Sequence, residues 1–139
     1  MSPGATGPWD LPVEGWEILT VIFAFQIDIL AYGGEAGTCT IRLAAAFRLT
    51  DPDGHVHELD AEQNAWEDLT PVLTLRRDKL VSLNITEDAC LTARFGSGRS
   101  LIAEADDRPY EHWQVTVPEI TLISLPGKEP DGVATWGGE

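Results

Sequence analysis

Residues 19–31 read LTVIFAFQIDILA and residues 39–49 read CTIRLAAAFRL. In the first, every odd position is apolar (Leu19, Val21, Phe23, Phe25, Ile27, Ile29, Ala31), while the even set includes Thr20, Gln26 and Asp28. In the second, Cys39, Ile41, Leu43, Ala45, Phe47 and Leu49 alternate with Thr40, Arg42 and Arg48. Period-two alternation is the mark of a strand with one buried face. Each stretch therefore predicts one long strand, and Gly33, Gly34 and Gly37 between them supply the backbone freedom of a hairpin loop. A hairpin centred on Glu35 sets Asp28 opposite Arg42, as a cross-strand ion pair, and Phe25 opposite Ala45.

Working outward, Asp51-Pro52-Asp53-Gly54 is a turn, since Pro and Gly each supply an angle that a turn requires. It returns a short strand, His55 to Leu59, alongside the second. Asp60-Ala61-Glu62-Gln63 then predicts a helix start, with the Asp60 carboxylate accepting from free amides and Gln63 at the capping-box position. Trp66, Leu69, Val72, Leu73 and the Arg76 stem follow at helical spacing. Pro71 lacks the N–H of a helix interior, so either the helix kinks there or a second begins with Asp68 or Thr70 as its cap.

Beyond it, Val81 to Ile85 and Leu91 to Phe95 alternate about an acidic turn at Glu87-Asp88-Ala89. Gly96-Ser97-Gly98 turns into Leu101 to Glu104. Trp113 to Val117 and Ile120 to Leu125 join tightly at Pro118-Glu119, and Val133 to Trp136 forms a last short strand. Nine or so strands and one principal helix give an α+β, mostly β domain of antiparallel sheets built from consecutive hairpins. Residues 1–18, rich in Pro and Gly, read as a tail, and residues 19–136 as one globular domain.

The 139 residues carry 23 acids against nine Lys and Arg, a net charge of −14. Phosphate-backbone binding and attraction to anionic membranes both draw on clustered Lys and Arg, so nucleic acid and membrane surfaces are disfavoured as partners. The longest apolar run, Val21 to Ala31, is too short for a membrane span of about 20 residues. The N-terminus has no basic start of the kind a signal peptide needs. Cys39 and Cys90 lie far apart with no metal-type spacing, which points to reduced thiols in a cytoplasmic protein. No cofactor is expected.

Negative charge is also polarised. Two bases stand against twelve acids before residue 71, and seven against eleven after it. Between Asp51 and Asp68 lie Asp51, Asp53, Glu58, Asp60, Glu62, Glu67 and Asp68 with no Lys or Arg. Turn and cap chemistry accounts for part of this, and a one-sided field that speeds encounter with a basic partner accounts for the rest.

The remaining chemistry is sparse. His55 and His57 share a strand face near Glu58 and Asp60, but a metal site needs three or more converging ligands. They read instead as solvent-exposed strand residues, with Arg48 flanking His57 on the outer face. Gly96-Ser97-Gly98-Arg99-Ser100 lacks the Gly-Lys-Ser/Thr end of a phosphate loop and opens a strand, so it reads as a hairpin turn. No nucleophile elbow occurs. In Pro109-Tyr110-Glu111-His112-Trp113, the two aromatic rings pack a turn onto the sheet or, alternatively, present a contact surface with Glu111.

Several segments resemble a family of small actinobacterial proteins of unknown function. They are Leu49 to Gly54, His57 with Leu59-Asp60, Phe95 to Gly98, Tyr110-Glu111-His112-Trp113-Gln114-Val115, Leu125-Pro126-Gly127 and Ala134-Thr135-Trp136. The resemblance spans Val21 to Trp136, and Lys128 to Asp131 lengthen the last turn relative to the pattern. It implies no activity and no catalytic residues. Size and acidity are also similar to those of immunity proteins that neutralise bacterial toxins, a likeness of class only.

The expected function is a non-catalytic interaction protein, immunity- or antitoxin-like, whose acidic face engages a basic protein. Trp66 and Trp113 are its candidate aromatic anchors, and Tyr110 and Glu111 a possible extension. The alternative is a small β-rich enzyme or ligand-binding domain with a pocket between sheet and helix, using His57, His112 and Glu111 as acid and base. A homo-oligomer joined through edge strands is a third expectation.

Overall fold

A computed structural model describes residues 8–86, 88–104, 112–124 and 133–137. Among them are twelve strands: β1 (Trp9–Asp10), β2 (Glu17–Phe23), β3 (Ile27–Tyr32), β4 (Thr38–Leu43), β5 (Ala46–Thr50), β6 (Val56–Asp60), β7 (Leu80–Ile85), β8 (Leu91–Phe95), β9 (Ser100–Ala103), β10 (Trp113–Val117), β11 (Ile120–Ser124) and β12 (Val133–Gly137). They form two six-stranded antiparallel sheets, β1-β7-β8-β9-β5-β6 and β12-β11-β10-β4-β3-β2. Inward residues of both, such as Leu49, Leu83, Leu91 and Leu101 from the first and Ile29, Ile41, Val115 and Leu122 from the second, join one hydrophobic core.

The mostly β, antiparallel class expected from the sequence is the observed one. Both long strands are nevertheless divided. Residues 19–31 hold a hairpin: β2 pairs with β3, and the chain reverses at Ala24-Phe25-Gln26, where the Ala24 amide donates to the Gln26 carbonyl at 2.9 Å. Phe25 is therefore not opposite Ala45 but stands at the hairpin tip, 95% exposed. A bulge between Ile18 and Thr20 shifts the parity of β2, burying Ile18 and exposing Leu19. Residues 39–49 cross from β4 in the second sheet to β5 in the first at Ala44-Ala45. Alternation continues unbroken through this crossing because the inner faces of both sheets look into the same core.

The predicted loop and register at Glu35 are found. Gly33 donates to the Gly37 carbonyl, and Asp28 faces Arg42 with a 2.9 Å bond from Arg42 Nε to Asp28 Oδ1. This hydrogen bond raises the Arg42 pKa further. The turns at Asp51–Gly54, Gly96–Gly98 and Pro118-Glu119 join consecutive strands as expected.

The stretch read as a tail enters the fold at Trp9. β1 pairs with Asn84 and Ile85 of β7, Val13 and Ile18 are fully buried, and residues 77–80 tie back to Trp16, Glu17 and Ile18.

The principal helical segment is a 3₁₀ helix, Trp66–Leu75. Its buried residues Leu69, Val72 and Leu75 recur every third position, which aligns them on one edge at three residues per turn. Before it, Asp60 Oδ1 accepts from the amides of Glu62 and Gln63 as the sequence predicts. In return the Asp60 amide donates to Asn64 Oδ1 rather than to the Gln63 side chain. Among the described residues no helix is long and apolar enough to cross a membrane.

Candidate functional site

The β5–β6 hairpin sets the faces on which the candidate residues appear. Leu49 lies opposite His57, and Arg48 opposite Glu58. Directly opposed residues share a face, so His57 points inward with Leu49 and does not share the outer face with Arg48, as the sequence reading had it. A register one residue away from that assumed moves every side chain of β6 to the other side. Glu58 takes the outer face instead, where Arg48 also bonds Glu104 at 3.2 Å.

Turned inward at the end of the first sheet, His57 Nε2 meets Asp51 Oδ2 at 2.9 Å, and the His55 ring lies edge-on to that of His57 with centroids 4.5 Å apart. Arg99 continues the register opposite Phe95, also on the inner side. Its Nη1 is 3.9 Å from the nearly buried Asp78 carboxylate, and its Nε is buried without a hydrogen bond. Asp78 is held by the amides of Lys79 and Ser97 and by the Ser97 hydroxyl. The 3₁₀ segment closes the far side, leaving a cleft of about 610 Å³ between Asp51-Pro52-Asp53, His57 and Arg99 on one wall and Thr70, Pro71 and Thr74 on the other. The hydroxyls of Thr70 and Thr74 donate to the carbonyls of Glu67 and Pro71, so toward the cleft they can act only as acceptors.

Next to this cleft, the start of the 3₁₀ segment carries exposed negative charge. Glu62, Glu67 and Asp68 are exposed, and Trp66 beside them is 65% exposed. Trp66 lies on the row of Leu69, Val72 and Leu75 but one turn beyond the edge of the core.

The other predicted residues are placed elsewhere. Trp113 is 1% exposed in the core, with its Nε1 donating to the Ala89 carbonyl at 3.0 Å, so it is a packing residue and no surface anchor. His112 is buried at the entry to β10, where its amide donates to Ser124 Oγ and its carbonyl accepts from Ala44. It does not line the His57 cleft. Tyr110 and Glu111 lie outside the described residues, as do the predicted turn at Lys128–Asp131 and the acids Asp106 and Asp107. Among the described residues no three His, Cys, Asp or Glu side chains are placed to hold a metal ion. Both cysteines are free thiols, and burial pushes Cys39 up to about 12 and raises Cys90 as well.

Sequence reading gave no site role to Arg99, Asp78, Thr70 or Thr74. The parity of the β8–β9 hairpin could have found Arg99: a turn at Gly96–Gly98 sets it opposite the apolar Phe95. Nothing local pairs Asp78 with Arg99, since they meet only when β7 and the β8–β9 turn come together.

Comparison with curated proteins and with solved structures returned no match. The chain does match a family of unknown function, DUF6188, over residues 9–137, and with nearly its whole length covered it belongs to that family.

Proposed function

We propose that this protein is a non-catalytic binding protein whose acidic surface from Asp51 to Asp68 engages a basic protein. The observation that carries this reading is Trp66: a large aromatic side chain left two-thirds exposed among Glu62, Glu67 and Asp68. Tryptophan is among the residue types enriched at the energetic centre of protein interfaces. Acids around it supply long-range attraction and reject acidic competitors. In the adjoining cleft Asp53 and the two threonine oxygens offer acceptors for a Lys or Arg side chain and Pro52 and Pro71 apolar walls for its stem, while Asp51 is engaged by His57 and Arg99 on the same wall lies against Asp78. Glu58 takes no part in this surface, being turned to the outer sheet face with Arg48.

In its most specific form the reading is of a cytoplasmic immunity- or antitoxin-like inhibitor from an actinobacterium. That form rests on size, acidity and the sequence resemblance.

The test is photo-crosslinking from position 66 in lysate of the source organism across a salt series. The expected product is a basic protein whose yield falls as salt rises. The triple variant Glu62→Lys/Glu67→Lys/Asp68→Lys should slow its association about tenfold or more. Equal yields from wild type and the charge-reversed chain, or no product at low salt, overturn the proposal.

A further inference from the structure

Sheet edges expose unpaired amides and carbonyls, and a stable monomer blunts them with charge, proline, brevity or cover. Two of the four edges, β1 and β6, show such features. β1 is two residues long. β6 carries His57, Glu58 and Asp60 and adjoins the 3₁₀ segment. β2 also adjoins the 3₁₀ segment, and its start is covered: Ile18 exchanges backbone bonds with Arg77 and Asp78, Glu17 bridges to Lys79, and Arg76 Nε reaches the Leu19 carbonyl at 3.4 Å. Beyond Leu19, no strand among the described residues pairs with its outer edge. From Ile18 to Ile27 there is no charge and no proline. Leu19 and Ile22 are each 45% exposed, and Phe25 projects from the hairpin tip.

We infer that β2 is a self-association edge: two copies of this chain pair antiparallel through Thr20 to Ala24 about a two-fold axis at Ile22. In this register Ile22 faces its own counterpart, Thr20 faces Ala24 of the second copy, and Phe25 falls on the second copy's Leu19. Each exposed apolar side chain thus meets another, as a symmetric interface requires. This edge is uncharged from Ile18 to Ile27. Two chains of −14 repel over most of their surface, and β2 offers a contact in which neither copy brings an acid against an acid. Asp28 on the neighbouring strand is paired with Arg42. One short strand edge and three apolar side chains per copy put the buried area near the lower bound for a specific interface, about 1,000 Å² in total, so the dimer is concentration-dependent.

Sedimentation of the full chain from micromolar to millimolar concentration tests this. Dimer should grow with concentration and with added salt, which screens the repulsion between copies. That salt response is opposite to the one expected for a basic partner at Trp66, so either can fail without the other. Ile22→Lys should weaken self-association more than tenfold. Because Ile22 lies on the outer face, the circular dichroism of this variant should match wild type. On a Cys90→Ser background, Ile22→Cys should form a disulfide-linked dimer under mild oxidation, and Phe25→Cys, which lies far from its own counterpart, should not. Monomer at every concentration, a dimer that survives Ile22→Lys, or equal crosslinking at positions 22 and 25 overturns the inference.

Discussion

Trp66 and Trp113 look alike in the sequence, each a tryptophan beside acidic residues and each a candidate anchor. Structure separates them completely. Trp113 opens β10 on the parity of Val115 and Val117, both buried, and its only polar atom is satisfied by the Ala89 carbonyl. Trp66 begins a 3₁₀ segment whose next three residues on the same row, Leu69, Val72 and Leu75, are buried while it stays largely in water. An aromatic ring near acids is thus no evidence for a contact surface. What decides is whether the period of its own element carries it inward, and whether the element is still over the core at that point.

The contrast predicts the largest effect at Trp113. Trp113→Ala empties a fully buried site and strands the Ala89 carbonyl, so it should cost about 3–5 kcal/mol of stability in denaturant unfolding. Trp66→Ala should stay within about 0.5 kcal/mol, as surface substitutions do, while reducing capture of a basic partner. Comparable losses at both positions would mean that Trp66 is part of the core, and the proposed binding surface would lose its anchor.

Ser124 sharpens the buried side of the comparison. Fully buried on β11, its hydroxyl oxygen accepts from the amides of His112 at 2.8 Å and Trp113 at 3.0 Å, and the hydroxyl lies 3.3 Å from the Trp113 carbonyl. One side chain therefore fixes the entry of β10 and the attitude of Trp113. Ser124→Ala leaves two buried amides without that acceptor and should cost about 1–3 kcal/mol. Near-wild-type unfolding would show that the chain entering β10 holds its position without Ser124.

Much of this was legible in the sequence, and the failures have specific causes. Alternation revealed the buried faces because a strand over a core must alternate. It could not reveal that 39–49 changes sheets at Ala44-Ala45, since a residue facing the core from either sheet has the same parity. The reversal at Ala24-Phe25-Gln26 was hidden because none of the three is a typical turn residue. At the candidate site the two acids of the Asp51–Gly54 turn were identified, but a register assumed one residue away put His57 on the wrong face. Trp113 could have been placed by its own parity with Val115 and Val117. Trp66 could not, because exposure at the end of a helical row depends on where the sheet beneath it stops.

The same division between core and surface separates the two thiols, with a smaller effect near neutral pH. Cys39 sits on β4 with no exposure, and desolvation of its thiolate moves its pKa from 9.0 to about 12; Cys90 is half-buried, and its pKa is raised too. For Cys39 the folded chain keeps a proton that the unfolded chain releases above pH 9. Below pH 9 both states hold it, so the thiol gives stability no slope there. Between pH 9 and 12 the unfolded state binds fewer protons, and the slope from this group is negative, about 1.4 kcal/mol lost per pH unit. Cys39→Ala removes that contribution, so the difference in unfolding free energy between wild type and variant should shrink by about that amount from pH 10 to 11. A difference independent of pH would place Cys39 in contact with water, and with it the inner face of β4 on which Ile41 and Leu43 also lie.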